Sequence, residues 1–271
     1  MNSEIDQRVV NEIFSAPQAW ENMQVLTDDI GSRLAGSCGE VAARDFLAET
    51  LGLYGVDEVN VEPFPHLGWE CKGEELRVVD PVHREILCRC AGLSPPADGL
   101  EAELVFLKKC DLEEVEARRE EIRGKMVVAP YHPVPRQVKM PIAAAAGAVA
   151  LLEARSVAGG LQPARTCAFN RIGDIPTASI SREDGAYLKR LAKRKGSVRL
   201  RLSLESLIEW RTSWNVVGLI RGREIEQEYV ALGGHYDSWH VGSGAVDNAT
   251  GVVAVLEAAR GLAQHKEHLR R

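Results

Sequence analysis

Within thirteen positions near the C-terminal end of this 271-residue chain stand one imidazole and two carboxylates, His235, Asp237 and Asp247. Neutral imidazole is a good donor to zinc, and a carboxylate is the group that can bridge two cations. His235 and Asp237 are two residues apart, so on an extended backbone both side chains project to the same side. Asp237 can then accept the second ring N–H of His235, fixing its tautomer and raising its basicity. Asp247 follows Gly242 and Gly244 at the junction of a loop and a helix, a position suited to a metal-binding carboxylate. The same residues also allow a plainer role: one histidine near two aspartates arises by chance, and Asp247 can simply cap the helix after it. Spacing alone leaves both open.

The elements around these residues form an apolar strand, a glycine-rich loop and a helix. In open α/β sheets the loops beyond the carboxyl ends of strands make the ligand crevice. The final helix has its apolar stripe at Val252, Val255, Leu256, Ala259, Leu262 and Ala263. Strands are predicted over Trp214–Ile220 and Glu228–Leu232, joined through Arg221-Gly222-Arg223. At the other end of the chain, helices are predicted over Ser3–Phe14 and Pro17–Asp29. A polar stretch, Gly31 to Ser37, leads to a helix over Gly39–Leu51 with Val41, Ala42, Phe46, Leu47 and Leu51 on one face. A strand over Val56–Phe64 follows, closed by Pro65. The texture then changes to short strands, Glu103–Lys108 and Lys125–Ala129 among them, with a small-residue helix over Pro141–Ala154. Ser181 and Asp184 mark a helix start, and Lys193-Arg194-Lys195 ahead of Gly196 marks its end. Val198 to Glu205 alternates, with Val198, Leu200, Leu202 and Leu204 on one face of a half-buried antiparallel strand.

A net charge of −6 argues against a nucleic-acid partner or an anionic membrane surface, since both call for a basic excess. The basic cluster at 193–195 reads as a complement to the helix dipole. No run approaches the roughly 18 apolar residues of a membrane span, and the residues after Met1 lack the pattern of a secretory leader. Six cysteines are scattered, and Cys88 and Cys90 are too close together for a zinc knuckle. Reduced thiols and a cytoplasmic location are expected.

Gly233-Gly234-His235-Tyr236-Asp237-Ser238-Trp239 and Gly244-Ala245-Val246-Asp247-Asn248-Ala249-Thr250-Gly251 resemble the first metal motif of the two-zinc aminopeptidases. The nearer likeness is to the carboxypeptidase Q-like subgroup, which carries an inserted protease-associated domain. Ile30 to Ser37 resembles that family's motif ahead of its first helix, Lys125 to Leu204 its inserted domain, and Thr212 to Gly218 its returning strand. The resemblance implies a three-layer zinc-exopeptidase-type α/β domain, incomplete here, with an inserted β-rich domain. Its parts would be 1–70 and 206–271 for the peptidase domain and 71–205 for the insert. It also implies that His235 ligates one zinc, that Asp247 bridges two, and that Asp237 is the catalytic partner of His235. The substrate would be a peptide. His240 falls where relatives carry no ligand, and His66, His83 and His132 match none.

In the family, further acidic ligands and a final histidine come from later in the chain, whereas only 24 residues follow Asp247 here. Glu257 lies roughly 15 Å along the helix from Asp247, too far to join it, and His265 and His268 are farther. The chain alone is therefore expected to hold zinc only in part and to be catalytically incomplete. A second chain would supply the missing layer over the apolar stripe of the last helix. The expected function is that of a zinc-dependent exopeptidase, aminopeptidase or dipeptidase. The alternative is a non-catalytic binding or scaffold remnant of the same fold. An acyltransferase of the glutaminyl cyclase type fits less well, because that group lacks the insert.

Overall fold

A computed structural model describes residues 3–15, 17–162, 164–225 and 227–270. In chain order its elements begin with α1 (Ser3–Ser15), α2 (Gln18–Gln24), a π-helical turn (Val25–Ile30) and α3 (Cys38–Leu53). Next come β1 (Glu58–Asp80), β2 (Arg84–Ile86), β3 (Cys88–Cys90), β4 (Ala97–Phe106), α4 (Leu112–Ala117) and α5 (Arg119–Ile122). The chain continues through β5 (Met126–Pro130), α6 (Arg136–Ala145), β6 (Ala150–Ala154), β7 (Thr177–Ile180), α7 (Arg182–Lys195), β8 (Arg199–Leu219) and α8 (Thr250–Ala263). Two compact units result: Met1–His66 with Arg211–Arg271, and Leu67–Trp210.

The first unit is built on α3 and α8. Ser37 caps α3 by accepting from Glu40 N at 3.3 Å, and Glu40 returns the favour by accepting from Gly36 N at 2.5 Å. One first-turn donor and the N–H just ahead of the cap are thereby satisfied reciprocally, a variant of the capping box. Ala43, Leu47 and Leu51 pack against Leu26 and against Val252, Val253 and Leu256 of α8. The stripe expected on α3 is thus turned by one position: Ala42 is exposed and Ala43 buried, because Glu40 is drawn inside by its hydrogen bonds. The strand expected at Glu228–Leu232 does not form. It pairs with no strand among the described residues, and Tyr229, Val230 and Leu232 are exposed. The strand expected at Trp214–Ile220 is the second half of β8 rather than a separate element.

In the second unit the strands follow the order β2-β1-β8-β4-β5-β6-β7-β3. β4 through β7 run parallel, with Val105 opposite Val127, Val127 opposite Leu151 and Leu152 opposite Ala178. β8 is antiparallel to β4, with Leu200, Leu202 and Leu204 buried as the alternation predicts. The two terminal strands of this order, β2 and β3, are joined by Leu87 alone, so the sheet curls until its edges meet. The helix expected over Pro141–Ala154 is in fact two elements. Gly147, at φ +86°, takes the chain out of α6, and Ala150–Ala154 becomes a buried parallel strand between β5 and β7. β1 is also longer than expected and runs on through Pro65. A proline is tolerated in a strand wherever its missing N–H is not needed by the ladder. α7 has the predicted caps: Ser181 Oγ accepts from Asp184 N at 3.0 Å, and Gly196 follows the last turn. No helix among the described residues is long and apolar enough to cross a membrane.

Candidate metal centre

His235, Asp237 and Asp247 meet at the surface of the first unit. Nδ1 of His235 lies 3.0 Å from Oδ1 of Asp237, and Nε2 lies 3.1 Å from Oδ1 of Asp247. The imidazole is thus held between two carboxylates, one at each nitrogen. A proton on Nδ1 would be accepted by Asp237 and would leave the Nε2 lone pair beside Asp247. Two ligands at 2.0–2.1 Å from one tetrahedral zinc stand about 3.3 Å apart, so the spacing of Nε2 and Oδ1 suits a shared ion. The side chains of His235 and Asp247 are 55% and 71% exposed, so an ion could reach them without any opening of the fold.

This donor set fits zinc in type and spacing but not in number. A zinc site takes three or four protein ligands, and no group of three His, Cys, Asp or Glu side chains gathers for a metal among the described residues. Glu257 is turned away and buried, paired with Arg260 at 3.0 Å. His268 pairs with Glu267, and His240 sits half-buried in the loop.

The loop owes its shape to a residue whose role the sequence reading passed over. Arg33 is fully buried. Its Nε donates to Tyr236 O at 2.8 Å, and Nη1 reaches Leu26 O, Gly31 O and Ser243 O at 2.7, 2.6 and 2.7 Å. Nη2 donates to Gly244 O at 3.0 Å. One guanidinium therefore ties the backbone between His235 and Asp237 to the backbone three residues before Asp247. The Arg33 main chain joins in, donating from N to Ser238 Oγ and accepting from Ser238 N, each at 3.0 Å. Burial pulls the Arg33 guanidinium below its usual value, and the charge of Asp237 acts against that pull. Gly244 has φ +63°, and a Cβ there would stand 2.7 Å from Arg33 Nη2 and 2.3 Å from Ser238 Cβ. Only glycine lets the loop close this tightly on the arginine.

Beneath the loop, Glu40 is 1% exposed and accepts from Ser213 Oγ. The Tyr236 hydroxyl lies 2.8 Å from Trp214 O and 3.4 Å from Glu40 Oε1. Burial pushes the Tyr236 phenol up, with the charge of Glu40 adding to it. Tyr236 thus points into the core while its neighbours His235 and Asp237 face outward. After Asp247, whose φ and ψ of −123° and 89° are not helical, Asn248 Nδ2 donates to His235 O at 3.3 Å. This bond joins the two halves of the motif a second time.

The model of Peptidase family M28 matches residues 215–271, and that of the PA domain matches residues 100–188. Carboxypeptidase Q of Homo sapiens is 32% identical over 89% of this chain and 53% of its own length. Leucine aminopeptidase 2 of Arthroderma otae is 28% identical over 87% of the chain and 46% of its own. The chain spans about half the length of the curated relatives it matches. Among solved structures, a Peptidase M28 precursor from Shewanella amazonensis shares the fold with a TM-score of 0.83 at 24% identity, over 96% of this chain and 63% of that one. A zinc aminopeptidase from Bacillus subtilis gives a TM-score of 0.74 at 27% identity, over 90% of this chain and 57% of that one. With His235 and Asp247 inside the matched C-terminal segment and a PA domain matched ahead of it, the protein belongs to peptidase family M28.

Proposed function

We propose that this chain supplies the first half of the metal site of a zinc exopeptidase acting on peptides, as an aminopeptidase or dipeptidase. The observation that carries this reading is the pair His235 Nε2 and Asp247 Oδ1, 3.1 Å apart, with Asp237 behind the ring. His235 and Asp247 would hold zinc, Asp247 would face a second ion, and Asp237 would keep His235 in the donating tautomer. Bound zinc supplies Lewis acidity and a water of lowered pKa. The likeness to a zinc aminopeptidase and to carboxypeptidase Q supports the metal and the reaction class. Six free cysteines favour a reducing compartment such as the cytoplasm.

The remaining ligands would come from polypeptide outside this chain. Its seat is an apolar groove of about 600 Å³ in the first unit, where Leu51, Val216, Leu232, Val255 and Leu256 face one another. The exposed segment with Tyr229, Val230 and Leu232 on its wall joins no strand ladder among the described residues and would offer donors and acceptors to an added strand. Zinc titration of the chain, with His235→Ala as control, tests the half-site. The expected result is weak binding that the substitution abolishes, without turnover of aminoacyl anilides. Two tightly held ions with turnover would refute incompleteness, and binding indifferent to His235→Ala would refute the site.

A further inference from the structure

The second half of α7 carries a run of cations, Lys189, Arg190, Lys193, Arg194 and Lys195, all of them exposed. None of these side chains forms a hydrogen bond or an ion pair with another described residue. On other helices the cations are answered locally: Arg8 by Glu4, Arg118 by Glu121, Arg119 by Glu116 and Arg260 by Glu257. The two acids of α7 stand at its opposite end and are engaged there. Glu183 accepts from Gly159 N and Gly160 N at 2.9 and 3.2 Å, and Asp184 accepts from Ser181 Oγ at 2.7 Å.

The helix dipole accounts for Lys193, Arg194 and Lys195, because its field falls off within the last turn. Lys189 and Arg190 lie a turn earlier. Lys189 stands four residues from Lys193, and Arg190 four from Arg194, so like charges neighbour each other along the helix and oppose it. A face that works against its own helix, and that no described carboxylate answers, fits a partner from outside the chain. We propose that this face of α7 docks an acidic peptide segment of a second protein. Its carboxylates would lie along the roughly 8 Å of helix from Lys189 to Arg194. Among the described residues no large apolar side chain is exposed between Ser181 and Glu205, so the face has nothing to bury in a bilayer. Arg84 lies over the Tyr187 ring at 4.0 Å, which leaves no open aromatic face for a base. The net charge of −6 repels an extended polyanion, whereas a short acidic segment meets only the local cluster.

The cluster lies in the insert, so the proposal stands or falls apart from the zinc site. Fluorescence anisotropy of the full chain with a labelled glutamate-rich peptide tests it, beside the same peptide with glutamine in place of glutamate. The glutamate peptide should bind, and should lose about tenfold or more in affinity between about 0.05 and 0.5 M salt as screening tightens. The glutamine peptide should not bind. Glutamine at Lys189, Arg190, Lys193 and Arg194 together should weaken binding about tenfold or more. Glutamine at Lys72, Lys108, Arg123 and Arg171, exposed cations outside α7, alters the net charge equally and should leave the affinity unchanged. The double change Lys189→Gln and Arg190→Gln keeps the last turn intact. It should still weaken binding about threefold, which keeps the test open if the fourfold variant fails to fold. Equal losses in the α7 and control variants, binding of the glutamine peptide, or an unchanged affinity in the double variant would overturn the proposal. So would tighter binding of phosphatidylserine vesicles or single-stranded DNA than of the glutamate peptide.

Discussion

Replacing Arg33 by methionine keeps much of the side-chain volume and removes the guanidinium. Five carbonyl oxygens, of Leu26, Gly31, Tyr236, Ser243 and Gly244, lose their donor together. Hydrogen bonds to a charged group contribute about 1.5–3 kcal/mol each, and an unsatisfied buried acceptor costs about 1–3 kcal/mol. Water will enter from the loop side and satisfy some of them, so two uncompensated losses are a fair count, giving about 3–6 kcal/mol. Set against a typical stability of about 5–15 kcal/mol, that is a large share. Urea unfolding followed through Trp214 and Trp239, both in the first unit, reads the loss, and zinc titration reads the loop. Arg33→Lys should fall between, because one ammonium cannot reach carbonyls spread over both sides of a planar fork. A loss below about 1 kcal/mol, with zinc affinity unchanged, would refute the role given to Arg33.

Asp237→Asn should weaken zinc binding by about 10–100-fold without abolishing it, because the ring loses its orienting carboxylate and keeps Nε2; calorimetry checks this, and an unchanged affinity would count against the tautomer argument. Glu153→Gln should destabilise the second unit by about 3–5 kcal/mol, since Glu153 pairs with both Lys139 and Arg165 at 2.9 Å in the interior; urea unfolding followed through Trp69 measures it. Asp57 has its carboxyl held below the usual value by the Arg221 N–H and then by Lys266. Its contribution is present above a pH of about 4, where the unfolded group ionises, and is lost as pH falls through the lower folded value. Asp57→Asn should therefore flatten the acid limb of the stability curve and leave the neutral plateau's slope alone; an acid limb unaltered in stability-versus-pH scans would contradict this.

Local signals in the sequence were good guides to helix ends and poor guides to anything that depends on a distant partner. Ser181 and Gly196 act as the expected caps because capping is settled within four residues. The run Pro141–Ala154 misleads because small apolar residues suit a helix and a doubly buried strand equally. The choice falls to the parallel neighbours β5 and β7 and to Gly147. Glu228–Leu232 fails in the opposite way, its pattern being that of a strand although it joins no sheet among the described residues. At the candidate site, the pairing of His235 with Asp247 was an expectation of the family resemblance, since spacing alone left Asp247 free to act as a helix cap. The role of Arg33 was not legible, since the carbonyls it binds near Tyr236 and Gly244 lie more than 200 positions on.

That long separation between Arg33 and its loop has a bearing on how the chain finds its fold. The first unit is interrupted by the whole of Leu67–Trp210, so the guanidinium must wait for its carbonyls until the insert has left the ribosome. Within the insert, β1 and β8 are ladder neighbours, so once it folds, the outgoing and returning strands are already side by side. Each halving of the effective loop recovers about 0.6 kcal/mol of closure entropy. The insert thus acts as a clasp for the interrupted domain, and lesions in its core should delay maturation of a histidine site that they never touch.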